Sequence, residues 1–137
     1  MSEPMTVRLN HSIEMPNRKL KILIVDDHED TVAVFMTWLV AHGYSGFGLT
    51  DLTKMENTLR IEDIEVLLLD LMFPGSEATD EIRNIRSKFP DLRIIVISGT
   101  SDLNLTRRAI DAGADSYMTK PIDWDVLRTL LGNVRIA

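Results

Sequence analysis

Five short apolar runs alternate along the chain with longer stretches in which apolar residues recur at helical spacing. The runs occupy residues 20–25, 44–49, 65–69, 92–97 and 115–118. The first, third and fourth are continuous and rich in Ile, Val and Leu, which is typical of strands buried on both faces of a parallel sheet. The second run carries Gly46 and Gly48, so we expect it to form an edge strand.

The intervening stretches have the three- and four-residue periodicity of amphipathic helices. Gly43 and Pro90 close two of these stretches, as residues that terminate helices do. We predict helices within residues 29–43, 53–60, 78–90, 102–113 and 123–134. In the fourth of these helices, Leu103, Ala109 and Ile110 are expected to face the core.

Strand and helix therefore alternate five times, which predicts a single α/β domain. The expected architecture is a doubly wound (βα)5 fold, with a five-stranded parallel sheet covered by helices on both faces. Residues 1–18 are polar, carry two prolines and fit neither period, so we predict a flexible N-terminal arm there. Residues 19–137 are assigned to the domain.

Composition and charge narrow the classes of function. The 137 residues include no cysteine, which excludes disulfides and thiolate metal sites. The net charge of −6 argues against direct nucleic-acid binding, which needs clustered Lys and Arg. No apolar run is long enough to span a membrane, and the N-terminus lacks the apolar core of a signal peptide. We therefore expect a cytoplasmic protein.

Chemically active residues follow four of the predicted strands directly. Asp26 and Asp27 follow the first strand, Asp70 the third, Ser98 the fourth, and Lys120 comes just after the fifth. The carboxyl ends of parallel strands lie at one edge of the sheet, where open α/β proteins bind their ligands. We therefore expect three carboxylates, a hydroxyl and an ammonium group to share one crevice.

Three ionised carboxylates in one crevice repel one another, by roughly 4 kcal/mol per pair at a separation of about 4 Å and an effective dielectric constant near 20. Lys120 offsets part of this charge, and Mg²⁺ bound by oxygen ligands would offset more. Asp70 precedes a predicted loop, residues 71–75, rather than a helix, so helix capping does not explain it. A carboxylate fixed beside cations can act as a nucleophile toward phosphorus, so we expect phosphoryl-transfer chemistry.

Four sequence blocks at these strand ends resemble, in order and spacing, the signature of the CheY-like receiver domain of two-component response regulators. The blocks are LIVDDHED, LLLDLMFPG, VISGTSD and GADSYMTKP. The resemblance covers about residues 19–135 and implies a flavodoxin-like fold. It also implies a signalling switch that is controlled by phosphorylation, rather than a multi-turnover enzyme.

The resemblance assigns a role to each acidic residue of the crevice. Asp70 would be the phosphoacceptor, modified by a histidine kinase or a phosphotransfer protein. Asp26, Asp27, Asp70 and the backbone carbonyl of Met72 would hold Mg²⁺, with Asp26 acting mainly through bound water. His28 follows the acid pair directly, and we expect it to be solvated rather than to bind the metal.

The other blocks are expected to sense the phosphoryl group and to transmit the signal. Ser98 would be the switch hydroxyl, Lys120 would pair with a phosphoryl oxygen, and Tyr117 would be the aromatic switch residue. The Lys120–Pro121 peptide bond would be cis. The signal would reach the face formed by the fourth helix, the fifth strand and the fifth helix, with a downstream protein, a fused output domain outside this chain or a second copy as partner. Candidate residues of that face are Arg107, Arg108, Tyr117, Trp124 and Arg128.

One block departs from the family pattern and leaves a second function open, and an Asp nucleophile on an α/β sheet leaves a third. Ser76-Glu77-Ala78 stand where the family usually has a Met-Asp-Gly-like triplet, which alters the loop before the third helix. An interaction module that phosphorylation does not regulate is the main alternative. A phosphatase with an Asp nucleophile is another, but the general acid expected two residues after Asp70 is replaced by Met72.

Overall fold

A computed structural model describes residues 18–73 and 76–134, in which strand and helix alternate in the predicted order. The predicted arm lies outside the described residues, except for Arg18. The strands are β1 (Lys21–Val25), β2 (Ser45–Leu49), β3 (Val66–Asp70), β4 (Met72–Phe73), β5 (Ser76–Glu77), β6 (Arg93–Ser98) and β7 (Ser116–Thr119). The helices are α1 (Glu29–Ala41), α2 (Met55–Ile61), α3 (Thr79–Lys88), α4 (Leu103–Ala112) and α5 (Trp124–Gly132), and a 3-10 turn, Leu52–Lys54, precedes α2.

Five of the described strands form one parallel sheet in the order β2-β1-β3-β6-β7. The order reverses between β1 and β3, which is the mark of a doubly wound fold, and the predicted fold class is confirmed. β2 is an edge strand, as its glycines indicate. None of the described helices is both long and apolar enough to cross a membrane.

The sheet is buried on both faces because successive side chains of each strand point to opposite sides. In β1, Leu23 and Val25 pack in the layer that contains α2, α3 and α4. Ile22 and Ile24 pack in the other layer, with side chains of α1 and α5. The strands are therefore fixed from both sides, and so is the position of any residue at their ends.

The buried side of α4 differs from the prediction. Leu103 and Ile110, expected to face the core, are 78% and 43% exposed, so this prediction is wrong. Ala109 is buried as predicted, together with Leu105 and Ala112, and the spacing of four and three residues among them defines the inward stripe. Residues 103 and 110 lie seven positions apart and share the opposite stripe.

A short hairpin occupies part of the predicted loop after β3. β4 and β5 pair antiparallel and place Met72 opposite Glu77. The N–H of Ala78 donates to the carbonyl of Leu71 at 2.7 Å and closes the base of the hairpin. Ala78 is fully buried at the position where the family triplet has glycine. The altered triplet is thus part of an ordered pairing with the residues that follow Asp70.

Gly113 ends α4 at a place where a side chain does not fit. Its φ is 128°, and a Cβ there would lie 2.8 Å from the Cβ of Arg86. Arg86 has little freedom to move because its guanidinium donates to the carbonyl of Gly113 and to Asp115. We therefore expect Gly113→Ala to lower the free energy of unfolding by about 1–3 kcal/mol, measured by urea denaturation. Gly132→Ala, where no atom lies within 4 Å, should leave stability nearly unchanged, and equal losses would contradict this explanation.

Candidate functional site

The carboxyl ends of the central strands bring the predicted site residues to one edge of the sheet. Asp70 is the last residue of β3, and Ser98 is the last residue of the neighbouring strand β6. Asp26 and Asp27 follow β1 directly, and Lys120 follows β7 directly. Because the strands are parallel and in register, all five side chains begin within two residues of one level of the sheet.

Lys120 connects two of the acids. Its Nζ lies 2.8 Å from Oδ2 of Asp26 and 3.7 Å from Oδ2 of Asp70. Burial alone would lower the pKa of Lys120, but its hydrogen bond to Asp26 and the charges of Asp70 and Asp26 outweigh burial and raise it. The ammonium group therefore stays protonated and supplies a positive charge beside both acids.

Asp70 lies in the least favourable environment for a carboxylate. It is 5% exposed, and its Oδ1 accepts a hydrogen bond from the backbone N–H of Met72 at 3.3 Å. Burial raises the pKa of Asp70 to about 6, against the opposing charge of Lys120, and the negative charges of Asp26 and Asp27 add to the rise. At neutral pH the carboxylate is ionised but under-compensated, and it is therefore disposed to gain a further positive partner.

Asp26 is buried too, but its charge is compensated. Burial raises the pKa of Asp26, yet the hydrogen bonds from Lys120 and from the backbone of His28 outweigh this effect and hold it below its usual value. The backbone N–H of His28 donates to Oδ1 of Asp26 at 2.9 Å. The pKa values of these two neighbouring acids thus shift in opposite directions, because burial dominates at Asp70 and hydrogen bonds dominate at Asp26.

His28 contacts both acids that precede it. Its side chain is 69% exposed, as expected, but Nδ1 lies 3.2 Å from Oδ1 of Asp26 and 3.1 Å from Oδ1 of Asp27. The sequence pattern predicts a solvated histidine outside the site. Its position directly after the acid pair is the one signal in the sequence that bears on this contact.

The acidic edge fits a divalent cation with oxygen ligands. Asp26, Asp27 and His28 each offer a ligand atom, and these atoms lie within 4.8 Å of one another. Oδ1 of Asp27 is buried and accepts no hydrogen bond within residues 18–73 and 76–134, although Nδ1 of His28 lies 3.1 Å away. An unsatisfied buried acceptor is unfavourable by about 1–3 kcal/mol, and a bound cation would relieve it. Mg²⁺, a hard ion that prefers carboxylate and carbonyl oxygens, matches the two carboxylates of this set but not the imidazole nitrogen of His28.

A chain of contacts leads from Ser98 to Tyr117. Ser98 is fully buried, and its Oγ accepts a hydrogen bond from the N–H of Thr100 at 3.4 Å. The hydroxyl of Tyr117 donates to the carbonyl of Thr100 at 3.0 Å. Lys120 donates its backbone N–H to the carbonyl of Ser98, and the Lys120–Pro121 peptide bond is cis. A shift of the loop after Ser98 would therefore move the Thr100 carbonyl to which Tyr117 is hydrogen-bonded.

Trp124 does not lie on the face for which it was a candidate. Its ring centroid is 5.1 Å from those of Phe35 and Trp38, so it packs against α1. The prediction that it belongs to the surface of α4, β7 and α5 is wrong. Arg107 and Arg108 do lie exposed on α4, and Arg108 forms an ion pair with Glu77.

Comparisons with known proteins identify the family of the chain. The family model for the response regulator receiver domain matches residues 22–132. A cyclic di-GMP phosphodiesterase of Thermotoga maritima is 27% identical over 110 residues, which are 80% of this chain and 29% of that protein. The cell cycle transcriptional regulator CtrA of Caulobacter vibrioides is 30% identical over 107 residues, 77% of this chain and 46% of that protein. The chain thus spans less than half the length of either relative.

A solved structure shares the fold. The crystal structure of a response regulator from Thermotoga maritima is 28% identical and superposes with a TM-score of 0.76, covering 85% of this chain and 97% of that chain.

The raised pKa of Asp70 makes a prediction about stability. An ordinary Asp in the unfolded chain ionises at about pH 4, before Asp70 ionises at about 6 in the fold, so stability decreases as pH rises through this window. Asp70→Asn removes this penalty. We expect it to raise the free energy of unfolding by about 1–3 kcal/mol at about pH 7.5 without divalent cations, and by much less near pH 4. Urea denaturation at several pH values measures this difference.

Asp26→Asn is the matched control, because the pKa of Asp26 is lowered and its charge pairs with Lys120. It should decrease the free energy of unfolding at neutral pH. Asp111→Asn, an exposed acid on α4, should have little effect. If Asp70→Asn lowered the free energy of unfolding, as Asp26→Asn is expected to do, the assigned charge balance would be contradicted.

Proposed function

Because this chain belongs to the response regulator receiver domain family, we propose that it is a phosphorylation-dependent switch of a two-component system. Asp70 would accept the phosphoryl group from the phosphohistidine of a histidine kinase or a phosphotransfer protein. The observation that carries this proposal is a buried carboxylate at a strand end, under-compensated by the ammonium group of Lys120 3.7 Å away. The protein would act in the cytoplasm as a switch and not as a multi-turnover enzyme.

Phosphoryl transfer requires the chain to position the attacking carboxylate and to supply positive charge and hydrogen-bond donors. The carboxylate of Asp70 attacks phosphorus, the bond from phosphorus to the donor imidazole nitrogen breaks as the new P–O bond forms, and the released imidazole takes a proton. Asp70 is ionised at neutral pH, which is the nucleophilic form of the carboxylate, and its position is fixed at the end of β3. Lys120 and the hydroxyl of Ser98 are the donors that would bind phosphoryl oxygens.

Mg²⁺ is the cofactor that we assign to the acidic edge. Asp26, Asp27, Asp70 and the backbone carbonyl of Met72 would hold it. When bound, it would supply positive charge against the developing charge on the phosphoryl oxygens. The buried Oδ1 of Asp27 supports this assignment, because it accepts no hydrogen bond in the described part of the chain, although Nδ1 of His28 approaches it to 3.1 Å.

The signal would leave the site through Ser98 and Tyr117. Movement of the Ser98 hydroxyl toward a phosphoryl group would disturb Thr100, to whose carbonyl Tyr117 is bonded. The face of α4, β7 and α5 would then change. Leu103 and Ile110, which the fold leaves exposed on α4, give this face apolar side chains for a downstream protein, a fused output domain or a second copy of the chain.

Intact-protein mass spectrometry tests the phosphoacceptor. After incubation with acetyl phosphate and Mg²⁺, the unmodified sequence should gain the mass of one phosphoryl group, and Asp70→Asn should gain none. Asp111→Asn, an exposed acid on α4, serves as the control and should be labelled normally. Removal of Mg²⁺ with a chelator should prevent labelling.

Absence of both the adduct and any beryllofluoride-induced change in amide NMR shifts would favour the interaction module that phosphorylation does not regulate. Sustained turnover of a phosphate ester would instead favour the phosphatase.

The lifetime of the phosphoryl group should depend on Met72. Met72 lies two residues after Asp70 and is 46% exposed. A thioether is too weak an acceptor to orient an attacking water. We expect a phosphoryl group that outlasts seconds. Met72→Gln should accelerate its loss by up to about tenfold, the effect of one hydrogen bond in the transition state. Met72→Leu should leave the rate unchanged, and equal acceleration by both substitutions would contradict this role.

A further inference from the structure

Glu77 receives hydrogen bonds from two separate elements. Its carboxylate accepts from Arg108 of α4 at 3.0 and 3.3 Å, and from the hydroxyl of Thr79 at the start of α3 at 2.6 Å. The hydrogen bonds of Arg108 and Thr79 hold the pKa of Glu77 below its usual value, so the carboxylate stays ionised at neutral pH. Glu77 belongs to the triplet that departs from the family pattern.

The hairpin places Glu77 directly opposite Met72. Because Ala78 donates its N–H to the carbonyl of Leu71, these two residues form a hydrogen-bonded position of the ladder. In an antiparallel pair the next position, Met72 opposite Glu77, then turns its N–H and C=O away from the partner strand. The N–H of Met72 is indeed bonded to Oδ1 of Asp70, outside the hairpin.

We propose that Glu77, held by Arg108, is a positioning residue that sets the backbone of Met72 at the cation site and links it to α4. This inference rests on the proposed function, in which the carbonyl of Met72 is a Mg²⁺ ligand. A pair of two-residue strands is marginal by itself, because it makes few bonds for the residues that it orders. The three hydrogen bonds to Glu77 supply the external anchor that such a hairpin needs.

The solvent exposure of the pair between Glu77 and Arg108 limits how much it can change Mg²⁺ binding. Glu77 is 31% and Arg108 52% exposed, so the ion pair is screened and modest. Exposed pairs of this kind change an equilibrium constant by about two- to fivefold. The link also works in both directions: a cation that favours the present position of Met72 would favour the pair between Glu77 and Arg108, and hence the present position of α4.

A position effect and a through-space charge effect have different signatures. The negative charge of Glu77 attracts a nearby cation and the positive charge of Arg108 repels it. If only charge matters, Glu77→Gln weakens Mg²⁺ binding and Arg108→Gln strengthens it. If the pair positions Met72, both substitutions weaken binding, because each one releases the hairpin.

Isothermal titration of Mg²⁺ into the parent chain and its variants decides between these outcomes. We expect a two- to fivefold higher Kd for Glu77→Gln, for Arg108→Gln and for the double variant, which should be no weaker than the singles. The charge exchange Glu77→Arg with Arg108→Glu should restore part of the affinity. Arg107→Gln, an exposed arginine of the same helix, is the matched control for charge and should not weaken binding.

A second measurement needs no metal. Amide hydrogen exchange of the metal-free chain should be faster at Met72 and Ala78 in Glu77→Gln and Arg108→Gln than in the parent, and unchanged in Arg107→Gln. Opposite changes in Mg²⁺ affinity for the two single variants, or values equal to that of Arg107→Gln, would overturn the positioning role.

A parent chain that binds neither Mg²⁺ nor beryllofluoride would mean that the proposed function has failed, and the role of Glu77 toward the metal with it. A parent that binds both, with variants that bind Mg²⁺ equally well, would overturn this inference alone. The two failures are therefore distinguishable in one set of titrations.

Discussion

The arrangement depends on an imbalance of charge that a rigid sheet enforces. Asp26 and Asp70 are fixed at the ends of neighbouring strands whose side chains are buried on both faces, so neither acid can move away from the other. Lys120 lies against both but makes its short contact, 2.8 Å, with Asp26 alone. Asp70 is left with a partner at 3.7 Å, and its raised pKa is the direct consequence of burial with incomplete compensation.

Because of this imbalance, Asp26 and Asp70 have different properties although both are aspartates. Asp26, satisfied by Lys120 and His28, is suited to remain a fixed anion that attracts a cation. Asp70 carries an ionisation that is unfavourable in the fold, and any group that brings positive charge or removes its negative charge is stabilised there. Conversion of the carboxylate to an acyl phosphate would add negative charge there, so it would depend on Lys120 and on the cation proposed for the acidic edge. The same imbalance predicts that stability and the proposed reactivity oppose each other at this position.

The sequence predicted the parts that depend on local pattern and missed those that depend on tertiary contacts. Each strand of the main sheet lies within one residue of its predicted bounds, because continuous apolar runs followed by polar residues mark buried strands clearly. The prediction for α4 is wrong because its apolar residues form two possible inward stripes. Packing in the fold buries Leu105 and leaves Leu103 exposed. The hairpin was not foreseen, since its anchor pairs Glu77 with Arg108, 31 residues away.

The departure of Ser76-Glu77-Ala78 from the family pattern therefore has a physical meaning that the sequence alone does not reveal. A glycine before α3 gives the backbone freedom, and this chain instead has a buried alanine with its N–H bonded to the residue after Asp70. The strand that leads to this alanine is also held through Glu77. That support comes from α4, the helix of the expected output face. A substitution that reads as the loss of a family residue is thus also the gain of a direct connection between the acidic edge and the surface through which it would signal.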